Sequence, residues 1–160
     1  MILLSLGSNL GDRVAYLSFA AEQLNEAGIE ILKSSSIYET PPWGNLNQPG
    51  FLNQVLKIDF TEGPFQLLHT IREIENKAGR QRIEKWGART LDIDIIEYDG
   101  LIVNDADLIL PHPQVTNRLF VLIPLAEIEP LWIEGITHKT AREWVASFPE
   151  TERNDIVLFQ

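Results

Sequence analysis

Apolar residues recur at two spacings along this chain, and each spacing predicts a different element. Ile2 to Gly7 is a short apolar run that reads as a buried strand ending at glycine. Ser8-Asn9-Leu10-Gly11-Asp12 has turn and cap chemistry. Val14, Leu17, Ala21, Leu24 and Ala27 then follow at helical spacing until Gly28 stops the helix. Ile29 to Tyr38 and Phe51 to Phe60 read as the second and third strands. Between them, Thr40 to Gly50 holds three prolines and two glycines and must be a loop. Pro64 opens a second helix, carried by Phe65, Leu68, Ile71, Ile74 and Ala78 and ended by Gly79. Residues 80–90 form another irregular stretch, and Leu91 to Tyr98 reads as the fourth strand. Two short apolar runs, 101–103 and 108–110, precede an irregular segment at 111–118 and a helix to about 128. Thr140 with Glu143 reads as a capping box opening a last helix at 141–147.

The order strand, helix, strand, strand, helix, strand is that of a split βαβ, ferredoxin-like α+β fold, βαββαβ. It predicts a mostly antiparallel sheet with helices on one face and long loops beside it. No repeat or linker interrupts the 160 residues, so one domain spanning 1–160 is expected.

Composition narrows the chemistry. With no cysteine, disulfides, thiolate zinc sites and cysteine nucleophiles are excluded. The N-terminus has no basic flank or long apolar run, and no stretch approaches the ~20 apolar residues of a membrane span, so a soluble cytoplasmic protein without a membrane partner is expected. A net charge of −10 argues against nucleic acid as partner. Yet five of the 13 basic residues, Lys77, Arg80, Arg82, Lys85 and Arg89, fall within residues 77–89. A local cationic patch on an acidic protein suits a small polyanion; a solvated basic loop is the plainer alternative.

The fourth strand carries the strongest chemical signal. Side chains alternate along a strand, so Asp92 and Asp94 share one face and Leu91, Ile93 and Ile95 the other. The two acids stand ~6–7 Å apart along the strand, close enough to hold a pair of Mg²⁺ ions separated by ~4 Å. An amphipathic strand with a wet acidic face has the same pattern. The neighbouring arginines and lysine add anion donors, and that combination fits phosphoryl transfer, where positioning and charge stabilisation dominate. No Gly-x-x-x-x-Gly-Lys-Ser/Thr loop and no protein-kinase signature set is present. Phe51 and Asn53 also share a strand face, a flat ring beside an amide that would suit a planar heterocycle. His112 sits between two prolines, near Arg118 and Phe120.

Taken in order, six motifs resemble the 6-hydroxymethyl-7,8-dihydropterin pyrophosphokinase family of folate biosynthesis: Gly7 to Asp12, Tyr38 to Pro42, Gln48 to Asn53, Glu75 with Gly79 to Arg82, Lys85 to Ile96, and Pro111-His112 with Asn117-Arg118. They span residues 1 to about 128. The resemblance implies an ATP-dependent transfer of pyrophosphate to the hydroxymethyl group of the reduced pterin, with AMP released. It implies two Mg²⁺ on Asp92 and Asp94, and ATP as co-substrate. Phe51 and Phe120 would sandwich the pterin, with Asn53 and backbone groups of Thr40 and Trp43 reading its polar edge. Glu75, His112 and Arg118 match ATP-contacting positions, and the Ile95 backbone would read adenine. Arg72, Arg82, Lys85 and Trp86 belong to the nucleotide side, while Arg80 and Arg89 would engage the phosphates and assist turnover. A monomer is implied. Ala88 stands where proline is usual, Phe51 where tyrosine is common, and Asp107 where some relatives carry an ATP-contacting arginine. A two-metal phosphohydrolase or nuclease, and a pterin or nucleotide carrier without catalysis, are the alternatives.

Overall fold

The computed structural model describes residues 1–42, 46–79 and 90–160. Strands are β1 (Ile2–Ser8), β2 (Glu30–Ser34), β3 (Tyr38–Thr40), β4 (Phe51–Asp59), β5 (Asp92–Tyr98), β6 (Val103–Asn104), β7 (Ile109–Leu110) and β8 (Val157–Leu158). Helices are α1 (Arg13–Glu26), α2 (Pro64–Lys77), α3 (Leu119–Ile128), α4 (Ala141–Ser147) and α5 (Glu150–Asn154), with a 3-10 turn at Val115–Asn117. The main sheet runs β5-β1-β4-β3-β8, with β2 also pairing β4, and the pairings are antiparallel. β6 and β7 form a separate hairpin. If β2 and β3 count as one broken strand, this is the expected ferredoxin-like order, an α+β fold.

Local chemistry explains the element ends. The Asp12 carboxylate caps α1 by accepting from the Ala15 N–H at 3.0 Å, and Pro64 at the start of α2 lacks the N–H that a first turn would leave unpaired. Gly28 and Gly79, just past the two helices, have φ of 80° and 75°, a conformation glycine adopts without cost. The expected capping box of Thr140 and Glu143 is present at α4.

Three expectations change. The second strand breaks at residues 35–37, where Ser35 turns its side chain into the sheet. Its N–H donates to the Val55 carbonyl, and its hydroxyl accepts from the Val55 N–H at 2.9 Å. Helices cover both faces of the sheet, not one. Ile2, Leu4, Leu6, Leu52, Leu56, Ile93 and Ile95 pack with α1 and α2 on the first face. Leu3, Val55 and Ile96 pack on the second with Val121, Leu122 and Leu125 of α3 and Ala141 of α4. α3 is apolar nearly all round, which fits a helix enclosed by its neighbours. Finally, α5 and β8 close the chain beyond the last expected helix, with β8 on the outer edge of β3.

Glu127 of α3 fixes the second layer to the broken strand. Its carboxylate accepts from the Tyr38 hydroxyl at 2.7 Å and from the Ser36 N–H and hydroxyl at 2.9 and 3.0 Å. Burial, then the hydrogen bond and charge of Glu127, push the Tyr38 phenol up to about 12. The folded state therefore holds that proton where the unfolded chain, near the ordinary value of about 10, releases it. We expect this contribution to be intact below pH 10 and to fade between pH 10 and 12. Urea denaturation across that window should show the decline in the parent chain and a flatter profile in Tyr38→Phe. At neutral pH that variant should lose about 1 kcal/mol.

Candidate functional site

The site grows from the pairing of three strands. Ile93 and Ile95 are 4% exposed in the first core, so Asp92 and Asp94 must face the opposite side of β5. Register then sets Asp92 beside Gly7 of β1, Gly7 beside Asn53 of β4, and Asn53 beside Tyr38 of β3. Gly7 leaves the middle of this row bare. A Cβ there would meet Asn53 Oδ1 at 3.6 Å and the Phe51 ring at 3.8 Å. The result is a floor with carboxylates at one end, an aromatic ring and an amide at the other, and no side chain between. Asn53 is 3% exposed, and its amide donates to Thr40 Oγ1 at 3.1 Å, which holds its orientation.

The segment after β7 closes one side. The His112 N–H donates to the Ile96 carbonyl at 2.8 Å, docking the Pro111-His112 turn on the outer edge of β5. Arg118 NH1 lies 3.3 Å from Asp94 Oδ2, and its guanidinium carbon is 5.9 Å from the centre of the Phe120 ring. His112 Nε2 stands 3.7 Å from the same carboxylate oxygen. Burial, then the Arg118 charge, push the His112 imidazole down to about 4, against an upward pull from Asp92. It is neutral at pH 7, so its approach to Asp94 is not an ion pair. Its Nδ1 accepts from the Gln114 N–H at 3.1 Å, which leaves the proton on Nε2, facing Asp94.

Glu75, on α2, is 4% exposed, and its Oε2 accepts from the Ile93 N–H at 3.1 Å. This commits one carboxylate oxygen to the open edge of β5. Since the Ile93 N–H points away from β1, strand parity turns the backbone groups of Ile95 to the same outer side. Arg72 reaches Asp107 at 3.5 Å, both side chains being about half exposed or more, so the acid partly offsets the cation there.

The structure therefore brings together Asp92, Asp94, Asn53, Phe51, Thr40, His112, Arg118 and Phe120, with Glu75 and Ile95 along the strand edge and Arg72 farther out. Trp43, Arg80, Arg82, Lys85, Trp86 and Arg89 lie outside the described residues. Sequence reasoning missed Gly7 as the bare centre of the floor, which needs the cross-strand register. Among the described residues no group of three or more His, Cys, Asp or Glu could hold a metal ion. Two hard oxygen donors on one face nevertheless fit Mg²⁺, which takes one or two carboxylates and completes its shell with phosphate oxygens and water. A cavity of about 440 Å³ opens behind the Thr40 end of the floor, lined in part by Arg13, Glu39, Pro49, Gly50 and Val157, and does not include the two aspartates.

Paired carboxylates beside the Arg118 guanidinium, with a flat apolar–polar slot on the same face of an antiparallel sheet, are the arrangement of a phosphoryl-transfer enzyme. The 7,8-dihydro-6-hydroxymethylpterin-pyrophosphokinase (HPPK) family model matches residues 3–130, and the chain belongs to that family. It is an ATP-dependent pyrophosphokinase of folate biosynthesis. The 2-amino-4-hydroxy-6-hydroxymethyldihydropteridine pyrophosphokinase of Methylorubrum extorquens is 45% identical over 144 residues, covering 89% of this chain and 90% of that one. The enzyme of the same name from Bacillus subtilis is 46% identical over 126 residues, covering 78% and 75%. In fold, the chain is similar to an HPPK-DHPS crystal structure in complex with substrates, with a TM-score of 0.73 at 16% identity over 97% of this chain. It spans 45% of that longer chain. Among the described residues no helix is long and apolar enough to cross a membrane.

Removing the buried Glu75 carboxylate would leave the Ile93 N–H without that acceptor. We expect Glu75→Leu to cost about 1–3 kcal/mol, read as a lower urea midpoint at unchanged slope. An unchanged midpoint would show that the contact contributes nothing to folding.

Proposed function

We propose that Asp92 and Asp94 hold two Mg²⁺ ions against the triphosphate of ATP while the reduced pterin lies across the Gly7 floor. The shared face of the two aspartates, continuous with Gly7 and Asn53, carries this reading. When bound, the metal ions supply positive charge against the crowded triphosphate oxygens. Phe51 and Phe120 sandwich the pterin ring, and the Asn53 amide, aided by backbone groups of Thr40 and Trp43, reads its polar edge. Arg118 and neutral His112 donate to phosphate oxygens beside Asp94. The outward backbone of Ile95 meets the adenine, with Glu75 ordering that edge and Arg72 beside it. Arg82, Lys85 and Trp86 serve the nucleotide side, and Arg80 and Arg89 engage the phosphates during transfer.

In the reaction, the pterin hydroxymethyl oxygen forms a bond to the β-phosphorus of ATP. The bond from that phosphorus to the oxygen bridging the α-phosphate breaks, AMP departs with the electron pair, and the hydroxyl proton is released. The leaving group is a stabilised phosphate, so alignment matters more than a strong base. Residues 1–160 act as a single pyrophosphokinase domain, as a cytoplasmic monomer with small-molecule substrates and no nucleic-acid or membrane partner.

The experiment is a product assay with ATP, Mg²⁺ and 6-hydroxymethyl-7,8-dihydropterin. AMP and the pterin pyrophosphate should appear together and in equal amounts, and AMP formed without pterin would point to hydrolysis instead. Asp94→Ala should lower kcat by about 100-fold or more with the fold retained by circular dichroism. Phe120→Ala should weaken pterin binding by about fivefold to tenfold in calorimetry while leaving ATP binding within twofold. Equal losses for both ligands would remove the stacking role.

A further inference from the structure

The return of the loop from β3 to β4 is gripped from two ends of the chain. The Asn9 amide, in a buried side chain, donates to Gln48 Oε1 at 3.1 Å and to the Pro49 carbonyl at 3.2 Å. Arg13, the first residue of α1, donates through NH1 to the Gly50 carbonyl at 2.9 Å and to Glu39 Oε2 at 2.5 Å. Gly50 immediately precedes Phe51, and a Cβ on it would stand 2.7 Å from the Thr40 carbonyl, so the loop's two ends are in direct contact there. The Arg13 guanidinium is itself held. Its central carbon lies 5.7 Å from the centre of the Phe159 ring.

Phe159 is placed by the last strand. β8 pairs Val157 with Glu39 and Leu158 with Tyr38, and the Phe159 N–H donates to the Ile37 carbonyl at 2.9 Å. Strand parity puts Glu39, Val157 and Phe159 on the face opposite the Asp92–Gly7–Asn53 row. The same face carries the 440 Å³ cavity behind the loop, so the backbone at Pro49–Gly50 has open space on that side. Across it, Arg13 ties Gly50 to Glu39 and to the C-terminal ring.

We infer that Arg13 and Phe159 are positioning residues that set the pterin end of the site by fixing Gly50, and through it Phe51. This rests on the assignment of Phe51 and Asn53 to the pterin. A charge-assisted hydrogen bond to a carbonyl is among the stronger single contacts, and an aromatic face restrains the guanidinium that makes it. Losing the Arg13 contact frees the Phe51 backbone to drift toward the cavity, while Asp92, Asp94, His112 and Arg118, on other elements, stay in place.

The test measures pterin and ATP separately in the full chain, by calorimetry with a non-hydrolysable ATP analogue and by steady-state KM values. Arg13→Gln should raise the pterin Kd and KM by about tenfold, with those of the nucleotide within twofold. Arg13→Lys, which keeps the charge without the planar fork, should recover only part of the loss. Phe159→Leu should weaken pterin binding by a few fold, and Phe159→Trp should restore it. Thermal midpoints of all four variants separate a fold defect from a local one. Unchanged pterin constants in a folded Arg13→Gln chain, or parallel losses for both ligands, overturn the inference. Asn53→Ala is the control for the underlying assignment. If it leaves pterin affinity unchanged, that assignment has failed; if it weakens pterin while Arg13→Gln does not, only the positioning role has failed.

Discussion

The burial of Ile93 and Ile95 is the constraint from which the site follows. With both isoleucines packed against α1 and α2, the alternation of a strand leaves Asp92 and Asp94 no choice of side. Slipping β5 by one residue would put two carboxylates into an apolar core, at a cost of several kcal/mol each. The hydrophobic core therefore holds the acids in place. The same logic extends across the sheet, because Gly7 and Asn53 take their facing from neighbours in β1 and β4 that are themselves fully buried.

Around that floor, charge is distributed by separate elements. Arg118 comes from the start of α3, His112 from the turn after β7, and Glu75 from α2 beneath the strand edge. The neutral state of His112 fits this crowding, since a second cation beside Arg118 in a partly buried pocket would be disfavoured. Three of the buried polar side chains around the floor are each tied to a partner. Asn53 is tied to Thr40, Glu75 to the Ile93 N–H, and Asn9 to Gln48 and Pro49.

Much of this was legible in the sequence because periodicity and punctuation acted locally. The Asp92–Asp94 pair, the Phe51–Asn53 pair, both long helices and the capping box at Thr140 depend on residues within a few positions of each other. What escaped depends on distant pairing. The break at Ser35 arises because its hydroxyl is satisfied by Val55, twenty residues on. The coverage of the second sheet face arises because Leu3, Val55 and Ile96 need α3, whose own composition reports burial but not location. β8 is two residues long and half exposed, so no pattern marks it, and only β3 makes it a strand. The bare centre at Gly7 likewise emerges only from register.

Anomalous scattering from Mn²⁺ would locate the metal ions relative to Asp92 and Asp94, in crystals grown with a non-hydrolysable ATP analogue and the reduced pterin. Two peaks ~4 Å apart are expected, each within coordinating distance of the carboxylates of Asp92 and Asp94 and of phosphate oxygens. Peaks bound only to phosphate, with both aspartates turned away from them, would contradict that placement.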